Sequence, residues 1–158
     1  MIKHKMRRFK QELSLDETKA ILRSGRECVI AVCDEDNVPY AVPINYVYDG
    51  THIYLHSAKS GHKIDALKHN PNISLCVIEK GEIVPQEFTT YFRSVIVFGT
   101  VSFIEDETEK IDALKKLAAK YSKGINPDNE INKFLKAVEI IEITILNMTG
   151  KEAIELTR

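Results

Sequence analysis

The chain is poor in the features that would assign it quickly. Its 158 residues contain no apolar run long enough to cross a bilayer. Basic residues cluster at the start (Lys3, His4, Lys5, Arg7, Arg8), but no apolar stretch follows them, so they do not read as a signal peptide and the expectation is a cytoplasmic protein. There is no surplus of either charge: 22 Lys plus Arg face 23 Asp plus Glu, for a net charge of -1. That argues against a general nucleic-acid binder, which displaces counterions with excess positive charge. Cysteine is scarce and odd in number. Cys28, Cys33 and Cys76 lack metal-ligand spacing, and the five-residue step from Cys28 to Cys33 puts those two on opposite faces of a strand. All three are expected as small buried hydrophobes in a reducing compartment, with no metal site. A G-x-G-x-x-G dinucleotide fingerprint is also missing, so the sequence names no electron donor.

What is present suits one domain over residues 1–158, 44% hydrophobic and 28% charged, with a sizeable core. The most informative stretch runs from His52 to Pro71. Its first half alternates, with Ile53 and Leu55 on one face and His52, Tyr54 and His56 on the other, which predicts a strand. A helix follows, with Ser60 as the expected N-cap and Gly61, His62 and Lys63 in its first turn. Ile64 and Leu67 form its buried stripe, and Asn70-Pro71 ends it. Free N–H groups at a helix start, beside a lysine, a histidine and the Ser57 hydroxyl, can hold a phosphate. A capped surface helix with a solvated lysine has the same local sequence.

The remaining chain supplies strands and two longer helices. Ser14 and Glu17 form a capping box for a helix that ends at Gly25 and plugs one end of the sheet. Glu27–Cys33 reads as a strand buried on both faces, and Tyr40–Tyr48 as a second strand. Pro43 makes that second strand irregular, bulged or peripheral, which frees main-chain groups of Pro43, Ile44 and Asn45 for a flat polar ligand. Asp49-Gly50 closes a hairpin into the His52 strand. Ile73–Ile78 is a fourth strand, residues 79–90 lack a period and read as a long loop, and Tyr91–Ile104 is the longest strand, bent at Gly99. An amphipathic helix spans Asp106–Tyr121, a short one carries Ile131, Phe134 and Leu135, and Val138–Leu146 is the last strand. About six strands in antiparallel meanders suggest a closed or half-closed barrel, with a two-layer α+β sandwich as the alternative.

Five segments taken in order carry a family resemblance: V-P-I-N-Y (42–46) with the D-G hairpin, Y-L-H-S (54–57), G-H-K-x-x-x-L-x-x-N-P (61–71), Y-F-R-S-V-I-V-F-G-T (91–100) and M-T-G-K-E (148–152). The series resembles the flavin-binding split barrels related to pyridoxamine 5'-phosphate oxidase, and within them the nitroimidazole-resistance (Nim) branch. The resemblance implies a mainly β fold, a six-stranded antiparallel split barrel with peripheral helices. It also implies a homodimer that holds FMN in clefts between the subunits, with FAD or haem as the alternatives left open. Val42, Pro43, Ile44 and Asn45 fall where relatives lay main chain along the isoalloxazine ring. Ser57, His62 and Lys63 fall on the phosphate segment, and Arg93 and Ser94 on the long strand that approaches the cofactor. His56 matches an active-cleft histidine, expected to donate a proton near its ordinary pKa or else to pack at a subunit interface. The oxidase's S-R-K turn is G-H-K here and its arginine-rich C-terminal signature is missing, which argues against vitamin B6 oxidation. The implied activity is reduction of nitroaromatic or other electron-poor small molecules. The rivals are a flavin or haem binder or redox sensor, with His56 or His62 as the haem ligand, and an empty dimeric scaffold.

Overall fold

A computed structural model describes residues 4–157. Lys3 of the basic cluster lies outside them. In chain order the elements are α1 (Leu15–Ser24), β1 (Cys28–Cys33), β2 (Pro39–Ile44), β3 (Val47–Tyr48), β4 (His52–Ala58), α2 (His62–His69), β5 (Asn72–Val84), β6 (Thr89–Phe103), α3 (Glu107–Tyr121), α4 (Asp128–Phe134) and β7 (Val138–Glu152).

Among the described residues the strands form a single antiparallel sheet, ordered β2-β1-β5-β6-β7-β4-β3. Laid flat, six strand spacings would separate β2 from β3 by about 29 Å. Yet Ile44 ends β2 and Val47 begins β3, and three residues span at most about 11 Å. The sheet therefore curls until its two edges nearly meet. This is a split barrel, and the split lies at Asn45–Tyr46. The same break explains why there are seven strands rather than six: the expected Tyr40–Tyr48 strand divides, its first part pairing with β1 and its second with β4.

Inward-facing residues fill the barrel. Ile30, Leu75, Val97 and Ile143 pack with Ile21 and Leu22 of α1 and with Ile64 and Leu67 of α2, so one helix plugs the barrel and the other bridges its split side. The capping box of α1 is formed as expected, with Glu17 N–H donating to Ser14 Oγ at 3.3 Å and Ser14 N–H to the Glu17 carboxylate at 3.0 Å. A second apolar cluster lies outside the sheet, where Tyr54 and Ile140 pack against Ala113 of α3.

Several expectations change. Gly25 does end α1, but with φ -58 it needs no left-handed backbone. It is small because a Cβ there would meet Val77 Cγ1 at 2.5 Å and the Tyr46 hydroxyl. Ser60 is not the cap of α2: Gly61, at φ 126, occupies that position without a side-chain cap. Residues 79–90 are not a loop. They form the end of a hairpin in which β5 and β6 pair from Lys80↔Arg93 to Val84↔Thr89, beyond a bulge at Glu79. Both faces of this arm are largely exposed, so no hydrophobic alternation marks it. Gly99 does mark an irregularity: the register with β7 shifts there, leaving Leu146 as the extra residue, and a Cβ on Gly99 would strike Thr144 O and Ile143. Only Cys28 is buried, while Cys33 and Cys76 on the outward face are half-buried; all three are free thiols.

Candidate functional site

The split is where the predicted residues gather. β2 pairs with β1 on one side only, so its other edge carries main-chain groups without a strand partner, and Pro39 and Pro43 are tolerated there because an edge strand need not donate outward. Val42 and Ile44 turn inward against the core, while Pro43 lies opposite Val29 on the outward face. The crossover that follows is clamped from several directions. Cys28 Sγ–H donates to Ile44 O at 3.5 Å, Tyr46 N–H donates to Tyr121 Oη at 3.1 Å, and Lys120 Nζ donates to Tyr46 O at 2.9 Å. The buried Tyr46 hydroxyl donates to Leu22 O at 2.7 Å. The end of α3 thus fixes the course of Asn45 and Tyr46.

The other wall is the end of β4 and the start of α2. Ser57 shares the inward face of β4 with Ile53 and Leu55 and is 7% exposed, and its Oγ has no hydrogen-bond partner among the described residues. Leaving such a hydroxyl unpaired costs stability. Downstream, the amides of His62 and Lys63 open α2 without a capping side chain. Lys63 is half-buried and has no carboxylate partner among the described residues. His62 is committed elsewhere: its ring stacks on Tyr40 at 4.3 Å, and Nε2 lies 3.4 Å from Asp34 Oδ2. Asp34 also accepts from the amides of Val38 and Asp36, and the first of these bonds leads in holding its carboxyl below the usual range. His62 therefore ties α2 to the β1–β2 turn. Nothing in its sequence neighbourhood announces this, because Asp34 and Tyr40 lie more than twenty residues upstream.

His56 points to the outward face of β4. Its imidazole is held below its ordinary value by partial burial and then by the nearby Lys63 ammonium. This corrects the expectation of an acid poised near its ordinary pKa: at neutral pH the ring is the uncharged imidazole, able to give and accept one hydrogen bond. It makes no hydrogen bond or ion pair among the described residues, and it lines a cleft of about 290 Å³ against α3 and α4.

Arg93 and Ser94 are not part of this gathering. They lie on β6, three strands from β2 in the sheet order, or about 14 Å across the sheet. Arg93 Nε pairs with Glu152 Oε2 at 3.1 Å. Among the described residues no group of three or more His, Cys, Asp or Glu could hold a metal, and no helix is long and apolar enough to cross a membrane.

The family model described as pyridoxamine 5'-phosphate oxidase matches residues 14–152. The chain belongs to that family. Among solved structures it is similar to a Bacteroides thetaiotaomicron protein provisionally named for 5-nitroimidazole antibiotic resistance, with 28% identity over 89% of this chain and 86% of that one, at a TM-score of 0.76. It is also similar to a FAD-binding protein of Mesorhizobium loti, with 25% identity over 90% and 96% of the two chains and a TM-score of 0.69. Among curated proteins, an uncharacterized protein of Rhizobium meliloti (strain 1021) is 35% identical over 91 residues, 58% of this chain. The match spans only 55% of that relative's length. The split-barrel resemblance expected from the ordered segments stands, and the similarity to the Bacteroides thetaiotaomicron protein is consistent with the nitroimidazole-resistance branch expected with it.

Proposed function

We propose that this member of the pyridoxamine 5'-phosphate oxidase family is an FMN-dependent oxidoreductase that reduces nitroaromatic or similarly electron-poor small molecules. The observation that carries the cofactor reading is the orphaned, buried Ser57 hydroxyl beside the open start of α2. Among the described residues, a hydroxyl donor without a partner, two free amides at a helix N-terminus and an unpaired Lys63 ammonium suit a phosphate dianion. The free main-chain edge at Val42–Asn45 suits the polar rim of an isoalloxazine ring. Bound flavin would supply the hydride or electrons. The chain's residues would orient it, and the uncharged His56 would donate its ring N–H to the acceptor instead of releasing a proton from imidazolium.

The working unit under this reading is a homodimer. Val29, Ile78 and Phe98 are exposed apolar residues on the outward sheet face, where Val29 aligns with Cys76 and Ile96, and Phe98 with Ser74. A second copy laid on this face would bury them. A cytoplasmic location and a small-molecule substrate complete the proposal.

An alternative is a non-catalytic binder of flavin or haem. Its haem form is favoured by one observation: His56 is neutral and unpartnered among the described residues, as an axial ligand must be. Absorption spectra of the protein, as purified and titrated with FMN, separate the two. Flavin bands near one per chain are expected. A Soret band would transfer His56 to ligand duty, and a colourless protein that ignores FMN would refute both.

A further inference from the structure

The cleft behind His56 is lined by none of the phosphate-segment or β2-edge residues, though His56 itself precedes Ser57 in β4 and lies near Lys63. It is formed by the outer face of β4 with α3 and α4, elements that begin more than fifty residues after His56. Leu114 and Ala118 of α3 and Ile131 and Phe134 of α4 supply apolar walls; His56, the lining residue from the sheet's β4, faces them, and Ser122 and Asn126 add exposed polar groups on the α3–α4 side. Its volume of about 290 Å³ is roughly twice that of an engineered apolar cavity that accepts benzene. Among the described residues no lysine or arginine lines it; Glu130, exposed at the edge, is its one carboxylate. Lys63 lies near His56 but outside the lining.

We propose that this α3–α4 cleft is the substrate pocket, and that it selects uncharged compounds of one ring or two small rings, held between apolar walls with one hydrogen bond to His56, over their anionic analogues. The size admits a substituted ring. The apolar walls would desolvate a ligand carboxylate or phosphate with no cation to pair it, and Glu130 would repel it. His56 offers an ordering contact that no described protein group satisfies. The proposal rests on the flavoprotein reading for the fate of the bound compound, but not for its binding.

The test is calorimetric titration of the full chain, with and without FMN, using 4-nitrobenzyl alcohol and 4-nitrobenzoate as a matched neutral and anionic pair. The alcohol should bind saturably, one per chain, and the carboxylate about tenfold or more weakly, the penalty for an unpaired buried charge. Ala118→Phe fills the cleft and should weaken the alcohol about tenfold or more while leaving the FMN titration unchanged. Glu130→Lys, at an exposed position, should strengthen the carboxylate about threefold or more. Equal binding of the two compounds overturns the proposal, as does unchanged alcohol binding in a folded Ala118→Phe chain. If that variant does not fold, an unmoved carboxylate affinity in Glu130→Lys overturns it instead. Ring binding without FMN binding would refute the flavin reading and leave the pocket standing. FMN binding without ring binding would do the reverse.

Discussion

Replacing Ser57 with alanine should move stability and cofactor affinity in opposite directions. In the folded chain the Ser57 side chain is 7% exposed and its Oγ has no partner among the described residues. A buried, unsatisfied hydroxyl costs about 1–3 kcal/mol, and alanine removes that cost while leaving little empty space. Taking about 1 kcal/mol as the gain, the flavin-free melting temperature of a chain this size should rise by about 2–4 °C. If the hydroxyl serves the FMN phosphate, its loss removes a charge-assisted hydrogen bond of about 1.5–3 kcal/mol. At about 1.4 kcal/mol per decade, FMN should then bind roughly 10- to 150-fold more weakly. Riboflavin, which lacks the phosphate, should bind both forms equally. The assay pairs a melting curve of flavin-free protein with FMN and riboflavin titrations followed by flavin fluorescence. A lower melting temperature in Ser57→Ala would show that the hydroxyl has a partner within the protein. Equal weakening of FMN and riboflavin would show that it does not serve the phosphate.

Lys63→Met should weaken FMN by about tenfold or more without touching riboflavin, and should raise the His56 pKa, since the ammonium is one of the two causes holding it down; ring-proton NMR against pH reads the second effect. The same depression has a linkage consequence. The unfolded chain takes up the His56 proton more readily, so this contribution to stability is full above the ordinary value of 6.5 and is lost as pH falls through the lower folded value. Denaturation midpoints from pH 7 to 5 should therefore fall less steeply in His56→Gln. Gly25→Ala should cost about 1–3 kcal/mol by overpacking against Val77 and Tyr46, whereas Gly61→Ala, with open space around its Cβ but φ 126, should lose a similar amount through backbone strain alone. A Val77→Ala background separates the two causes, since it should relieve part of the penalty at Gly25 and leave that at Gly61 intact. Tyr121→Phe, which strips the hydroxyl from the Tyr46 amide, should cost about 1–3 kcal/mol in chemical denaturation.

Features encoded within one turn of helix or one stretch of strand are legible in the chain. Ser14 and Glu17 cap α1 because both partners lie within four residues. The alternation of Ile53 and Leu55 sets the buried face of β4, and the ordered segments from V-P-I-N-Y to M-T-G-K-E identify the family. The candidate anion site at Ser57 and Lys63 likewise starts from local sequence, the end of a strand and the start of the next helix.

Other features follow from contacts between distant residues. The two-residue crossover at Asn45–Tyr46 becomes the split only because the sheet curls and its edge strands meet, and the clamp on it comes from Cys28, Lys120 and Tyr121. The arm at residues 79–90 holds its form through cross-strand hydrogen bonds, which leave no hydrophobic period when both faces meet water. Local sequence determined most of the strands and helices, though not the arm at residues 79–90 or the break in the Tyr40–Tyr48 strand. Tertiary packing decided that His62 serves Asp34 and Tyr40, that Gly25 is small because of Val77 and Tyr46, and that His56 faces a cleft built by α3 and α4, because each of those environments is assembled from residues the chain places far apart.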